Sequence, residues 1–196
     1  MKKIPTLFQR DPDNMARVLP EVHPDCRWVL NGEGWPTRKL DGMCCAFVDI
    51  DLARGIFVRR REVKKGKPVP EDFVLVETDE TTGKSVGWVP VGSGPEDAYF
   101  IKAFSRFPGR PEPGTYELVG PKSQGGVEGY AEHTLIAHHD SDLRIQEEVP
   151  RDFDGLRDWL EGKNIEGIVW HHPDGRMAKI KRRDFGLPWP DKGAKR

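Results

Sequence analysis

Alternating hydrophobic and polar positions predict most of the regular structure of this 196-residue chain. Successive side chains of a β-strand point to opposite faces, so short runs with a two-residue period indicate strands. MCCAFVDID (43–51) and IFVRRREV (56–63) show this period and, with a turn at 53–55, predict a hairpin. FVLVETD (73–79) and KSVGWVPV (84–91) are separated by ETTG and predict a second hairpin.

A third hairpin is predicted near the end of the chain. IEGIVWHH (165–172) and RMAKIKR (176–182) flank the sequence HPDG, in which proline, aspartate and glycine favour a tight turn. GTYELVG (114–120) and HTLIAHH (133–139) predict two further short strands.

Two segments have the spacing of helices instead. PEDAYFIKAF (95–104) places Pro95 at a first helical position, with Tyr99, Phe100 and Ala103 along one side. FDGLRDWLEG (153–162) has its apolar residues at helical spacing and ends at Gly162; these residues are Phe153, Leu156, Trp159 and Leu160.

Many antiparallel strands with few helices indicate an α+β fold. Residues 1–36 are rich in Pro, Asp and Gly and are predicted to form an irregular arm with one short helix. Residues 37–185 are predicted to form a single domain, and residues 186–196 a tail.

The composition limits where a binding site can arise. The hydrophobic content of 36% is sufficient for a core, and the formal net charge is −1. A site for nucleic acid or phosphate must therefore come from local clustering of basic residues. No apolar run has membrane-spanning length, no signal peptide is evident, and the three cysteines include no CxxC spacing. We therefore expect a cytoplasmic protein without a membrane partner.

The strand RMAKIKR carries the first indication of chemistry. Lys179 and Lys181 point to one face of this strand, while Ala178 and Ile180 point to the other. Two neighbouring ammonium groups repel each other unless an anion lies between them, and polyphosphate is such an anion. The predicted hairpin brings Glu166, whose carboxylate can hold a divalent cation, close to the two lysines.

Four short motifs follow one another along the chain: KLDG (39–42), YELVG (116–120), EGIV (166–169) and KIK (179–181). The KxDG match alone is weak, because it arises by chance. The four motifs in this order resemble the covalent nucleotidyltransferase superfamily of ATP-dependent ligases and mRNA capping enzymes. The phrases YELVGPKSQG and EGIVW are most similar to small stand-alone RNA ligases.

The resemblance implies a nucleotidyltransferase (adenylation) domain with antiparallel sheets around a nucleotide cleft. Lys39 would attack the α-phosphate of ATP and form a lysyl-AMP. Glu166 and Glu117 would hold Mg²⁺ or Mn²⁺, while Glu117, Lys179 and Lys181 would contact the nucleotide. A free lysine is neutral in about one molecule in a thousand at pH 7.4, so a reactive lysine needs roughly 4 kcal/mol of differential stabilisation from nearby positive charge.

The remaining site residues are also implied by the resemblance. Asp41 shares the face of Lys39 if the strand begins in this segment, and it is expected to orient the site rather than to react. The backbone near Arg38 is expected to contact adenine, which would lie in an apolar slot against HTLIAHH. Arg59, one of three arginines in the returning strand, is expected to contact phosphate or ribose. No OB domain is expected, since only a short stretch follows Lys181.

The resulting prediction is a monomeric RNA ligase that joins 5′-phosphate and 3′-hydroxyl RNA ends. Among enzymes, the alternative is a DNA ligase or a capping guanylyltransferase. The alternative outside enzymes is a non-catalytic nucleotide-binding or RNA-binding module of the same fold. The histidine pairs 138–139 and 171–172 lie on predicted strands, where neighbours face opposite ways, so neither pair is expected to hold a metal.

Overall fold

The computed structural model describes residues 2–49, 55–80 and 82–188. Within these ranges the protein is α+β, with antiparallel sheets and few helices, as the hydrophobic pattern predicts. The strands are β1 (Phe8–Arg10), β2 (Val18–Val22), β3 (Trp35–Lys39), β4 (Met43–Asp49), β5 (Gly55–Val63), β6 (Val74–Thr78), β7 (Ser85–Pro90), β8 (Gly114–Val119), β9 (Thr134–Ala137), β10 (Gly167–His171) and β11 (Met177–Lys181). The α-helices are α1 (Arg27–Leu30), α2 (Ala98–Ser105) and α3 (Phe153–Glu161).

The chain divides into two compact units. Unit 1 consists of Met1–Lys3 and Asp41–His138, and unit 2 of Ile4–Leu40 and His139–Arg196. The chain passes from unit 2 to unit 1 between Leu40 and Asp41 and returns after His138, so the range 37–185, for which a single domain is predicted, contributes to both units.

Unit 1 is built on a six-stranded antiparallel sheet in the order β6-β7-β5-β4-β8-β9. Both hairpins predicted in this region are confirmed, since β4 pairs with β5 and β6 pairs with β7. Of the predicted turn at 53–55, only Gly55 lies within the described residues. A 3-10 turn beginning at Pro95 leads into α2, whose buried residues pack on one face of the sheet. The core there contains Phe100, Ala103, Cys45, Tyr116 and Leu118.

Unit 2 is built on a three-stranded antiparallel sheet in the order β11-β10-β3. The HPDG hairpin is confirmed by the pairing of β10 with β11. Ala178 and Ile180 are fully buried, as alternation along this strand predicts. They pack with residues of α3, namely Leu156 and Leu160. The predicted helix and its end at Gly162 are also confirmed.

The predicted irregular arm is wrong for much of residues 1–36. β1 pairs with β2, and Leu7 and Phe8 are buried in the core of unit 2. The Leu7 N–H donates to the Lys179 carbonyl oxygen at 2.7 Å, and the Lys179 N–H donates to the Pro5 carbonyl oxygen at 3.0 Å. This segment therefore lies beside β11. Its strands are too short to show a period, and contacts with residues distant in the sequence stabilise them.

Two further observations bear on the predictions for the chain as a whole. Among the described residues, no helix combines the length and apolar character that crossing a membrane requires. Most of the predicted tail, residues 189–196, lies outside the described residues, while Leu187 packs against the core of unit 2.

Candidate active site

The sheet of unit 2 places two lysines on either side of a glycine. Gly167 of β10 pairs with Lys39 of β3 on one side and with Lys181 of β11 on the other. Residues paired directly across antiparallel strands share a face, so the two lysine side chains leave the sheet on the same side. A Cβ atom at residue 167 would lie 2.1 Å from the Ile180 carbonyl oxygen, so only glycine fits there.

Glu166, immediately before β10, joins the two ammonium groups. Its Oε2 accepts a hydrogen bond from Lys39 Nζ at 2.6 Å, and its Oε1 accepts one from Lys181 Nζ. The glutamate side chain is 2% exposed, whereas the lysine side chains are 22% (Lys39) and 14% (Lys181) exposed. Lys39 Nζ also donates to the Leu40 carbonyl oxygen at 3.2 Å. One buried carboxylate thus holds two cations at the end of β3.

The positive charge of Lys39 acts on the ionisation of Lys181. Burial lowers the pKa of Lys181, and the positive charge of Lys39 lowers it further, while Glu166 opposes the shift. Lys179, paired with Val169, projects on the same face as Lys181. Lys39, Lys179 and Lys181 thus project from one face of the sheet, and ammonium groups can form charge-assisted hydrogen bonds with phosphate groups.

The fit of a divalent cation is conditional. Mg²⁺ is commonly bound by one or two carboxylates together with substrate phosphates. Both oxygens of Glu166 accept hydrogen bonds from ammonium groups, so a cation fits only if one lysine releases its oxygen. Within residues 2–49, 55–80 and 82–188, no group of three or more His, Cys, Asp or Glu side chains is arranged to hold a metal. The residues therefore fit a cation that arrives with a phosphate ligand better than a permanent metal centre.

Arg38 lies next to Lys39 in β3, and its side chain projects from the opposite face. It pairs with Ile168, a fully buried residue of β10. The guanidinium group is therefore not part of the lysine cluster, and any contribution of Arg38 on the lysine face must come from its backbone.

Unit 1 positions Glu117 on β8 opposite Cys44 of β4. Glu117 is 8% exposed, and Gly42 lies directly against it. A Cβ atom at residue 42 would lie 2.7 Å from Glu117 Cγ and 2.4 Å from the Leu118 carbonyl oxygen. A side chain at residue 42 would therefore collide with Glu117 and with the backbone of β8.

A histidine that follows β9 holds the Glu117 carboxylate. His138 Nε2 lies 2.9 Å from Glu117 Oε2, and His138 Nδ1 lies 2.9 Å from Thr115 Oγ1. Thr115 and Glu117 are two residues apart in β8 and share one face. The imidazole ring therefore connects a hydroxyl group and a buried carboxylate on that face.

Asp41 does not have the position that strand alternation would give it. β3 ends at Lys39, and neither Leu40 nor Asp41 belongs to a strand. The assumption that Asp41 shares a strand face with Lys39 is therefore wrong. Its backbone N–H donates to Glu128 Oε1 at 2.9 Å within unit 1.

Arg59 is placed away from Glu117. It pairs with Cys45, and its side chain therefore projects from the face of the sheet on which α2 packs. Its Nε donates to Asp97, which is 4% exposed. The choice of Arg59 among the three arginines is thus not supported by this geometry. Arg60, the next residue, projects from the face that carries Glu117.

Sequence reasoning missed two of the residues that form these arrangements. The sequence does not predict Thr115 and His138 as partners of Glu117, although alternation in HTLIAHH places residues 134, 136 and 138 on one face. The signal was incomplete because the strand that pairs with this segment could not be identified from alternation.

Comparison with known proteins points to one family. A family model described as RNA ligase 1 matches residues 115–195 of the chain. The matched range contains Glu117, Glu166, Lys179 and Lys181, whereas Lys39 precedes it.

Individual relatives carry the same name. The chain is 36% identical to RNA ligase 1 of Danio rerio over 85 residues, which cover 39% of this chain and 25% of that protein. It is 37% identical to RNA ligase 1 of Pongo abelii over 84 residues, covering 39% of this chain and 25% of that protein. It is 28% identical to RNA ligase 1 of Rattus norvegicus over 168 residues, covering 68% of this chain and 48% of that protein. The chain thus spans about half or less of the length of these relatives.

Proposed function

We propose that this chain is the catalytic core of an ATP-dependent RNA ligase that joins 5′-phosphate to 3′-hydroxyl ends through a lysyl-AMP on Lys39. The observation that carries the proposal is the buried Glu166 carboxylate, which holds Lys39 beside Lys181 on one face of a sheet. The similarity to proteins named RNA ligase 1 supports the reaction type. A protein that only binds nucleotide has no need of an amine at the position of Lys39.

In the first step of this reaction Lys39 is the nucleophile and ATP is the substrate. The ammonium group of Lys39 must lose a proton and leave Glu166 Oε2 before its nitrogen can attack. An N–P bond then forms at the α-phosphorus, and the bond from that phosphorus to the bridging oxygen of pyrophosphate breaks. Pyrophosphate leaves with the bonding electrons.

Lys179 and Lys181 are assigned to the phosphates. Their ammonium groups lie on the face of β11 that also carries the Glu166–Lys39 pair. Positive charge aimed at the phosphates stabilises the negative charge that develops on the leaving pyrophosphate. The charge of Lys181 also favours the neutral amine of Lys39, because two like charges repel each other.

Glu166 would hold a divalent cation once one of the two ammonium groups has released its oxygen. Glu117 is the second carboxylate assigned to binding a divalent cation. When bound, Mg²⁺ or Mn²⁺ neutralises part of the charge of the transferring phosphates. Glu117 is also assigned to the ribose hydroxyls, because one of its oxygens is held by His138 and the carboxylate can accept further hydrogen bonds.

The later steps return the lysine to its starting state. A 5′-phosphate oxygen attacks the phosphorus of lysyl-AMP, which forms a P–O–P bond and breaks the N–P bond. The 3′-hydroxyl oxygen then attacks the 5′-phosphorus, and AMP leaves. The exposed basic residues at the end of β5 and in the following loop, within 59–67, are assigned to RNA phosphates.

The test of the first step is covalent labelling with ATP that carries radioactive α-phosphate, in the presence of Mg²⁺ or Mn²⁺. The wild-type protein should gain one AMP through a bond that is labile to acid and stable to alkali. Lys39→Ala and Lys39→Arg should not be labelled, because arginine remains protonated and cannot attack. Lys102→Ala, which changes an exposed lysine of α2, is the matched control and should label normally. Labelling of Lys39→Ala would contradict the proposal, and labelling from GTP instead of ATP would indicate a capping-type enzyme.

The RNA assignment is tested with the same preparation. Two nicked duplexes that differ only in the sugar of the 3′-terminal nucleotide should be sealed unequally, with ribose strongly preferred. The 2′-hydroxyl is the group by which a protein distinguishes RNA from DNA. Equal sealing of the two would contradict RNA ligation while leaving the adenylation step intact.

A further inference from the structure

We propose that His138 is a positioning residue, which holds the Glu117 carboxylate in the orientation needed to bind the nucleotide. The inference rests on the proposed function, in which Glu117 contacts the ribose or a cation. It concerns a histidine whose ring touches Glu117 directly and whose backbone is fixed by the sheet of unit 1.

The backbone of His138 continues the pairing of β9 with β8. The His138 N–H donates to the Thr115 carbonyl oxygen at 3.0 Å, one step beyond the last registered pair, Tyr116 with Ala137. The histidine ring therefore leaves the sheet on the same side as the side chains of Thr115 and Glu117. The pairing of β8 with β9 thus fixes the position of the His138 backbone and the face from which its side chain projects.

The two ring contacts determine how the imidazole is oriented. A carboxylate only accepts hydrogen bonds, so the 2.9 Å contact with Glu117 Oε2 requires a proton on Nε2. The hydroxyl group of Thr115 can either donate to Nδ1 or accept from it across the other 2.9 Å contact. Both the neutral and the protonated ring of His138 can therefore form hydrogen bonds with the Thr115 hydroxyl and the Glu117 carboxylate, and the ring orientation is the same in either state.

The carboxylate gains a defined orientation from this arrangement. Glu117 is 8% exposed, and a carboxylate with so little water around it is costly unless it is hydrogen-bonded. His138 occupies Oε2, and among the described residues no side-chain or backbone donor contacts Oε1. Gly42 leaves space beside that oxygen, since a Cβ atom at residue 42 would lie 3.1 Å from it. One oxygen is thus fixed by the protein and the other is left for a donor or cation on the nucleotide.

The effect of His138 is therefore expected in nucleotide binding. Removing the ring leaves the Glu117 carboxylate free to rotate and without its hydrogen bond. An interaction that binds substrate and transition state equally changes KM without changing kcat. Loss of a hydrogen bond to a charged group corresponds to about a tenfold change in KM.

The experiment compares His138→Ala and His138→Gln with the control His139→Gln, which changes the exposed neighbouring histidine. The KM for ATP and the maximal rate of AMP loading are measured for each. His138→Ala should raise KM about tenfold with kcat nearly unchanged. His138→Gln should recover part of this loss, because its amide N–H can donate to Glu117. The control should match the wild type.

A second arm separates positioning from a general structural effect. In the Glu117→Ala background, His138→Ala should raise KM by less than about twofold, because contacting residues are expected to be strongly coupled. An equal rise in both backgrounds, or no rise in either, would overturn the inference. If His138→Ala does not fold, Thr115→Val removes the partner of Nδ1 and should raise KM by a smaller factor. An unchanged KM for Thr115→Val would then overturn it.

Binding measurements distinguish this inference from the proposed function. Affinity for α,β-methylene ATP, which cannot transfer AMP, is measured by calorimetry for the same variants. Wild-type binding without any AMP loading would contradict the ligase chemistry, while weaker binding by His138→Ala alone would still support the role of His138. Normal AMP loading with equal affinity in all variants would overturn the role of His138 and leave the ligase proposal standing.

Discussion

The change Glu166→Gln gives the sharpest test of the electrostatic argument for unit 2. It keeps the shape of the side chain and removes the negative charge that holds Lys39 and Lys181. At 2.6 Å and an effective dielectric constant of about 20, the attraction of the Lys39 pair is roughly 6 kcal/mol before desolvation is considered. Desolvation of the two charges offsets much of this attraction. Removing one partner of a buried ion pair lowers the free energy of unfolding by about 3–5 kcal/mol. Because the lysines keep 22% and 14% exposure, we expect a loss of about 3 kcal/mol in the free energy of unfolding.

Urea unfolding followed by tryptophan fluorescence measures this loss, since Trp28 and Trp170 are buried in the core of unit 2. Glu161→Gln, an exposed glutamate of α3 in the same unit, is the control and should cost almost nothing. AMP loading by Glu166→Gln should be lost, while Glu161→Gln should load normally.

The pH dependence of the loss has a definite sign. The pKa of Lys181 already lies below its ordinary value of 10.5 because of burial and the charge of Lys39, and removing Glu166 takes away the group that opposes this shift. Between the lowered value and about 10.5 the unfolded chain binds more protons than the folded one, so folded stability rises with pH in that window. The cost of Glu166→Gln should therefore be largest at neutral pH and shrink as the solution becomes alkaline.

A variant that lacks both ammonium groups provides the result that would contradict this account. In Lys39→Met/Lys181→Met, Glu166 is a buried carboxylate without these two cations, and Glu166→Gln should be neutral or stabilising. If Glu166→Gln destabilises that background as much as it destabilises the wild type, the two ammonium groups are not the reason for its cost. The electrostatic account of this cluster would then be wrong.

Two further predictions concern unit 1. Gly42→Ala should lower stability by about 1–3 kcal/mol and raise the KM for ATP, because the new Cβ atom collides with Glu117 Cγ and the Leu118 carbonyl oxygen; an unchanged unfolding midpoint and KM would contradict this. The pKa of His133 lies below its ordinary value of 6.5 because of burial and two nearby cations, so the unfolded chain binds more protons and wild-type stability should rise with pH up to about 6.5. His133→Phe keeps an aromatic ring against Tyr99, whose ring lies 4.3 Å from that of His133, and should remove this pH dependence of stability. Urea unfolding midpoints measured at about pH 5 and pH 7.5 test the prediction. If the difference between the two midpoints is the same in His133→Phe as in the wild type, the prediction is contradicted.

Local patterns in the amino-acid sequence predict the structure that carries the lysines. Alternation in RMAKIKR and the turn residues of HPDG predicted β11, its hairpin with β10, and the shared face of Lys179 and Lys181. These features are local, since the period of a strand and the chemistry of a tight turn involve residues close together in the chain. Local patterns likewise predict the hairpins of unit 1 and the helix α3, and the order of the motifs is the basis for proposing Lys39 as the nucleophile.

Contacts between residues far apart in the chain depend on how the strands and helices pack. The sequence does not predict β3 as a strand, because WPTRK lacks a clear period and its partner β10 begins 128 residues after Lys39. Alternation divides the three arginines of β5 between two faces but does not reveal that Arg59 lies on the α2 side, paired with Asp97. The contact of His138 with Glu117 likewise depends on the register of β9 against β8. Strand register and the burial of charged groups depend on the whole packed chain, so local patterns leave them open.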